Sequence, residues 1–186
     1  MTDVIWLIPA FPLVGFLVLV VFSAVQSAGN LIDMFGGFQL AQAFDPQSMI
    51  NGAQFTRMFQ LTALALLFAS GGYQLIIGGL IRTFDAVPLA AGLSMADPAK
   101  QMVDGLTQMF LAALQIAGPL IVVLFLADVG LGLLTRVAPA LNAFSLGFPL
   151  KIMLTVVLAA IVFVALPGVV SGLTDTAVKT MLGVGR

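Results

Sequence analysis

Cysteine, histidine and glutamate are absent from the 186 residues, and their absence removes most of the chemistry a chain can carry. Without cysteine there are no disulfides, and without cysteine and histidine the usual zinc and haem ligands are gone. All eight acidic residues are aspartate, scattered without metal-ligand spacing. No nucleophile–base pair can be assembled from what remains, and no GxxxxGK[ST] phosphate loop occurs. The sequence reads as non-enzymatic, with no cofactor. Charge is scarce as well, at 8% of residues with a formal net charge of −1. No basic stripe exists to track a phosphate backbone, so nucleic acid is not an expected partner.

Apolar residues are what the chain has in excess: 61%, with a mean hydropathy of +1.16. One soluble core of this size cannot hide so much apolar surface. The bilayer is the solvent such a chain requires. Four uncharged stretches stand out, at residues 4–25, 59–80, 106–127 and 152–170. Each is about 20 residues long, the length of an α-helix that crosses the hydrocarbon layer. An open chain satisfies its backbone in lipid only as helix, so the expected fold is all-α. It is an integral membrane protein with about four long apolar helices, in a single domain over 1–186. The N-terminal run begins with Asp3 and no preceding cation, and reads as a retained helix rather than a signal peptide.

Local signals mark the helix ends. Gly36-Gly37 can stop the first helix, because glycine accepts the left-handed conformation at the position after the cap. Asp45-Pro46 and Asp97-Pro98 read as helix starts. Met102, Leu106, Met109, Phe110 and Ala113 fall on one expected apolar face, while Asp104 and Gln108 fall off it. Glycines at 71–72, 78–79, 130 and 132 read as notches for close helix packing. Asp128 reads as an interfacial acid, with an intramembrane proton or cation site as the other possibility. Lysine and arginine are divided too evenly between the two sides of a four-span scheme to orient the chain.

Two connecting segments are too apolar for solvated loops and too broken for simple spans. One is 38–58, which mixes Phe38, Phe44 and Phe55 with several glutamines. The other is 137–150, which has no charge and is bracketed by Arg136 and Lys151. Backbone of this kind at membrane depth must be buried in protein or line a wet cavity. The first segment is either a plain cap–turn–cap or a gate loop. The second is either a pair of snorkelling cations on ordinary spans or a re-entrant hairpin broken at Pro139 and Pro149.

Those two segments carry a family resemblance. Residues 22–48, FSAVQSAGNLIDMFGGFQLAQAFDPQS, resemble the segment of FliR proteins that ends in a Gly-Phe turn and Asp-Pro-x-Ser. Residues 57–88 resemble the next family helix, with its small-residue centre and closing Phe-x-x-x-Pro. Residues 131–152, LGLLTRVAPALNAFSLGFPLKI, match the Arg-Val-Ala-Pro, Leu-Asn-x-Phe and Gly-Phe-Pro pieces in family order and spacing. The resemblance covers about 22–170, the C-terminal two-thirds of the family pattern, with residues 1–21 outside it and the family's N-terminal helices missing. It departs from the pattern at Asn30, where the family carries an acid, with Asp33 nearby, and at Ala140, where the family has glutamine.

The resemblance implies a subunit of the flagellar-type (type III) protein export gate in the bacterial inner membrane, at the flagellar basal body. It implies FliP-like and FliQ-like membrane partners, a FlhB-like one in addition, and unfolded export substrates. On that reading Gly37, Phe38, Phe44, Asp45, Pro46 and Ser48 form a gate loop, with Phe38 and Phe44 as apolar plugs. Arg136, Pro139, Asn142, Phe144, Phe148, Pro149 and Lys151 form an assembly hairpin. The competing expectation is a small ion-coupled transporter or complex I-like membrane subunit.

Overall fold

A computed structural model describes residues 3–39, 53–86, 96–138 and 143–183. These fold into five α-helices: α1 Asp3–Phe35, α2 Gln54–Ala69, α3 Gly72–Ala86, α4 Ala96–Val137 and α5 Ala143–Gly183. No strand occurs among them. Three helices are long and apolar enough to cross a membrane, and four spans result if α2 and α3 count together. The all-α membrane expectation therefore holds.

The second apolar stretch is not one straight helix. It breaks at Ser70-Gly71, and α2 and the first part of α3 meet at 74°. Gly71 adopts φ +71°, a left-handed conformation that other residues enter at a cost of about 1–2 kcal/mol. Sequence reading took Gly71-Gly72 as a packing notch. Gly72 is one, because a Cβ there would lie 2.8 Å from Leu67 Cδ1, but Gly71 is the turn itself. Gly78, Gly130 and Gly132 are not notches within this chain, since a Cβ on any of them would meet nothing within 4 Å.

Helices α4 and α5, at 42 and 41 residues, are far longer than the apolar stretches that announced them. At ~1.5 Å per residue each is roughly 60 Å long, about twice the thickness of the hydrocarbon layer. Three prolines are absorbed: Pro119 inside α4, and Pro149 and Pro167 inside α5. Pro149 was expected to break the 137–150 segment. Instead, residues 143–150 form the opening turns of α5.

The core lies where α1, α2, α4 and α5 converge. Ala28, Ile32, Phe59, Ala63, Ala117, Leu120, Leu124 and Leu166 are buried there. Alanines recur because lipid offers no hydrophobic drive between helices, so association depends on close van der Waals approach. Helix α4 turns Gly105, Ala112, Ala113 and Ile116 inward, while Met102, Leu106 and Phe110 stay exposed. The expected apolar face of α4 is thus only partly buried: Ala113 faces inward as expected and Met109 is half-buried, whereas Met102, Leu106 and Phe110 face outward.

Candidate functional site

The end of α1 is built around Asp33. Its backbone carbonyl accepts a hydrogen bond from Phe38 N at 3.0 Å, and the Met34 carbonyl accepts one from Gly37 N at 3.4 Å. With Gly37 at φ +84°, this is a Schellman ending, which turns the chain sharply and satisfies the last carbonyls. The predicted Gly36-Gly37 stop is therefore real, and only glycine meets the backbone demand at position 37 without strain.

The Asp33 carboxylate does something the sequence did not show. Helix α2 begins at Gln54 after Ala53, a residue with no side chain able to cap it. Asp33 supplies the cap from another helix. One oxygen accepts from Phe55 N at 2.9 Å, and the other from Thr56 N at 2.9 Å and Thr56 Oγ1 at 2.8 Å. The carboxylate is completely buried. It is tolerated there because three donors and the positive end of the α2 dipole replace water. Gly29, one turn earlier, makes this approach possible: a Cβ on it would lie 2.6 Å from Thr56 Cα. The one available hint was that Asp33 is the lone charge between Asp3 and Asp45, in a run otherwise fit for lipid.

Phe38, just past the turn, is fixed by the same construction. Its ring meets Phe55 edge-on at 5.2 Å. Phe55 contacts Phe59 at 6.2 Å, and Phe59 contacts Phe163 of α5 at 5.0 Å. Edge-to-face pairs of this kind contribute beyond their area burial. The turn also seats on α5. A Cβ at Gly36 would lie 2.7 Å from Thr155 Oγ1, and one at Gly37 would lie 3.6 Å from the Phe148 ring.

The two segments that stood apart in the sequence thus come close together, at Gly37 and Phe148. Of the gate-loop residues, Gly37 and Phe38 are placed as above, whereas Phe44, Asp45, Pro46 and Ser48 lie outside the described residues. Of the hairpin residues, Pro139 and Asn142 also lie outside them, and Phe144 is placed only as backbone in the first turn of α5. Arg136 is exposed in the last turn of α4, where a cation complements the helix dipole. Lys151 is not an unpaired cation. It sits more than two turns inside α5 and pairs with Asp128 of α4 at 2.6 Å. Asp128 is therefore one half of a clasp between the hairpin arms.

Reversing one charge of the clasp, Asp128→Lys, should lower thermal stability in detergent by about 1 kcal/mol, as for partly exposed pairs. Adding Lys151→Asp should recover most of that loss. A double variant no more stable than the single would show that the pair does not hold the arms together. Among the described residues, no group of three or more metal-ligating side chains comes together.

Comparison with known proteins gives the family. The chain is 32% identical to the flagellar biosynthetic protein FliR of Escherichia coli K12 over 146 residues, 78% of this chain and 56% of that protein. It is 28% identical to FliR of Bacillus subtilis 168 over 169 residues, 87% of this chain and 65% of that protein. It is 29% identical to the Yop proteins translocation protein T of Yersinia pestis over 143 residues, 75% of this chain and 54% of that protein. The chain spans between about half and two-thirds of the length of these curated relatives. The family model for bacterial export proteins, family 1, matches residues 12–177, beginning ahead of Phe22 and so taking in part of the N-terminal helix. This chain, with its Asp33-capped turn and clasped hairpin, belongs to that family of bacterial export proteins.

Proposed function

We propose that the chain is a non-catalytic subunit of the flagellar-type (type III) protein export gate. In the bacterial inner membrane it helps to form the channel for unfolded export substrates, together with FliP-like and FliQ-like subunits. The observation that carries this reading is the family match over residues 12–177, and the closely bonded base of the loop that starts at Gly37 supports it. A loop that closes a channel must leave its scaffold at a fixed point. Here the departure is set by a Schellman turn, a buried carboxylate and an edge-to-face phenylalanine pair. Apolar side chains close a pore by excluding water, which suits Phe38. The transporter alternative has no comparable support: Asp128 is engaged by Lys151, and both oxygens of Asp33 are occupied by donors.

In native membranes the chain should co-purify with FliP-like and FliQ-like subunits, and its deletion should stop export. A chain that migrates alone, in cells that still secrete, would overturn the proposal. Phe38→Ala should leave assembly intact and make the resting gate leak small ions. An assembled, ion-tight Phe38→Ala gate would remove Phe38 from the plug.

A further inference from the structure

The exposed surfaces of the long helices are not alike. On α5 the outward side chains between 153 and 164 include Met153, Val156, Val157, Ile161 and Val164, and on α4 those between 122 and 133 include Val122, Phe125, Leu126 and Leu133, whereas the start of α4 also exposes Asp104, Thr107, Gln108 and Gln115. The two apolar faces suit lipid or an apolar neighbour. The free face of α1 differs. Ser23, Gln26, Ser27 and Asn30 recur at three- and four-residue spacing, which places them on one side of the helix. Gln26 and Asn30 are exposed, and Ser23 and Ser27 are half-buried. Beyond the turn Gln39 joins them, its Nε2 donating to Asn30 Oδ1 at 2.9 Å.

A carboxamide facing hydrocarbon costs several kcal/mol unless a partner satisfies it, and polar side chains within spans accordingly face a bundle interior or water. Two amides and two hydroxyls on one free face of a membrane-length helix are too many for lipid. The same face borders a cavity of about 280 Å³ between α1 and α4, lined by Ser27, Asn30, Leu31, Met34, Met109 and Phe110 among others. That space is large enough for several water molecules, and Ser27 and Asn30 are the polar side chains in its otherwise apolar wall.

We propose that this stripe of α1 borders water in the assembled protein. The water-filled passage then runs along Ser23, Gln26, Ser27 and Asn30 toward the turn at Gly36–Phe38, while the apolar faces at 122–133 of α4 and 153–164 of α5 meet lipid or apolar neighbours. That the passage serves exported chains rests on the gate reading above. That the face is wet rests on its polarity alone. The stripe also ends at the Asp33-capped turn, so the wet face and Phe38 are held in fixed relation.

The 186 residues hold no cysteine, so an introduced thiol is the only one they carry, and labelling is read against the unsubstituted protein in the same membranes. Gln26→Cys, Asn30→Cys and Val164→Cys are made singly in the full-length protein, expressed with its partner subunits in native membranes. Each is treated with a membrane-impermeant, charged thiol reagent from both sides. All three positions are exposed in the isolated chain, so none of the substitutions disturbs the core. Since only a hydrated thiolate reacts, positions 26 and 30 should label more than about tenfold faster than position 164. Equal rates at the three positions, fast or slow, would overturn the proposal. So would protection of 26 and 30 alone, which would mean that a polar partner surface covers the stripe. Co-purification of partner subunits from the same samples reports on the gate reading separately.

Discussion

Asp33→Ala should cost about 3 kcal/mol of stability, a fall of roughly 10 °C in the thermal midpoint for a chain of this size. The substitution removes three hydrogen bonds to one carboxylate, two of them from backbone N–H groups in the first turn of α2. Loss of a helix cap alone costs about 1 kcal/mol, and a buried donor left without an acceptor costs about 1–3 kcal/mol more. Asp33→Asn should rescue little, because its amide nitrogen would confront one of the two backbone donors. Asp33→Glu should also fail, since an added methylene has no room where the side chain is fully buried. Thermal stability of the purified protein, followed by size-exclusion in detergent, reads all three. An unchanged midpoint for Asp33→Ala would show that the carboxylate does not hold α2 to α1.

Gly29→Val should have a comparable effect for a different reason. A Cβ at this position would sit 2.6 Å from Thr56 Cα, 2.7 Å from Thr56 N and 2.9 Å from Phe55 C. All three are backbone atoms, so no rotamer change can relieve the clash and the helices must separate. Overpacking of this kind costs about 1–3 kcal/mol. Here it also draws the Asp33 oxygens away from their donors, which places the expected loss near the upper end. Gly172→Ala is the control: a Cβ there meets nothing within 4 Å, and alanine in a helix is favoured over glycine by about 1 kcal/mol. Gly29→Val and Asp33→Ala act on one contact, so the double variant should be much less destabilised than the sum of the singles. Additive losses would mean that the close approach and the cap are independent.

These two positions show why the site was only partly legible beforehand. The Gly36-Gly37 stop could be read because helix termination is a local event, decided by which residues tolerate a positive φ. Gly29 and Asp33 could not, because their roles depend on residues 22 to 27 positions later. Nothing in the spacing of Asp33 and Thr56 says that two helices cross there. The Asp128–Lys151 clasp was hidden similarly: each charge lay near the end of an apolar run and resembled an interfacial residue. Pro149 misled for the opposite reason. It carries a strong local signal to break a helix, but it falls in the opening turns of α5, and the helix continues through it.

Composition and apolar run length by themselves determined that this chain is helical and lives in a bilayer. Both properties follow from transfer energies and backbone hydrogen bonding, which are summed over a segment and need no partner. The family resemblance was legible for a related reason, since its loops carry local turn chemistry. Tertiary structure alone decided where α2 and α3 bend, which glycines pack, which aspartate is buried and which face of α1 is left polar. Those outcomes depend on which surfaces meet. In an interior without water, a carboxyl group is accommodated only where donors meet it, and α2 brings them to Asp33 from its first turn.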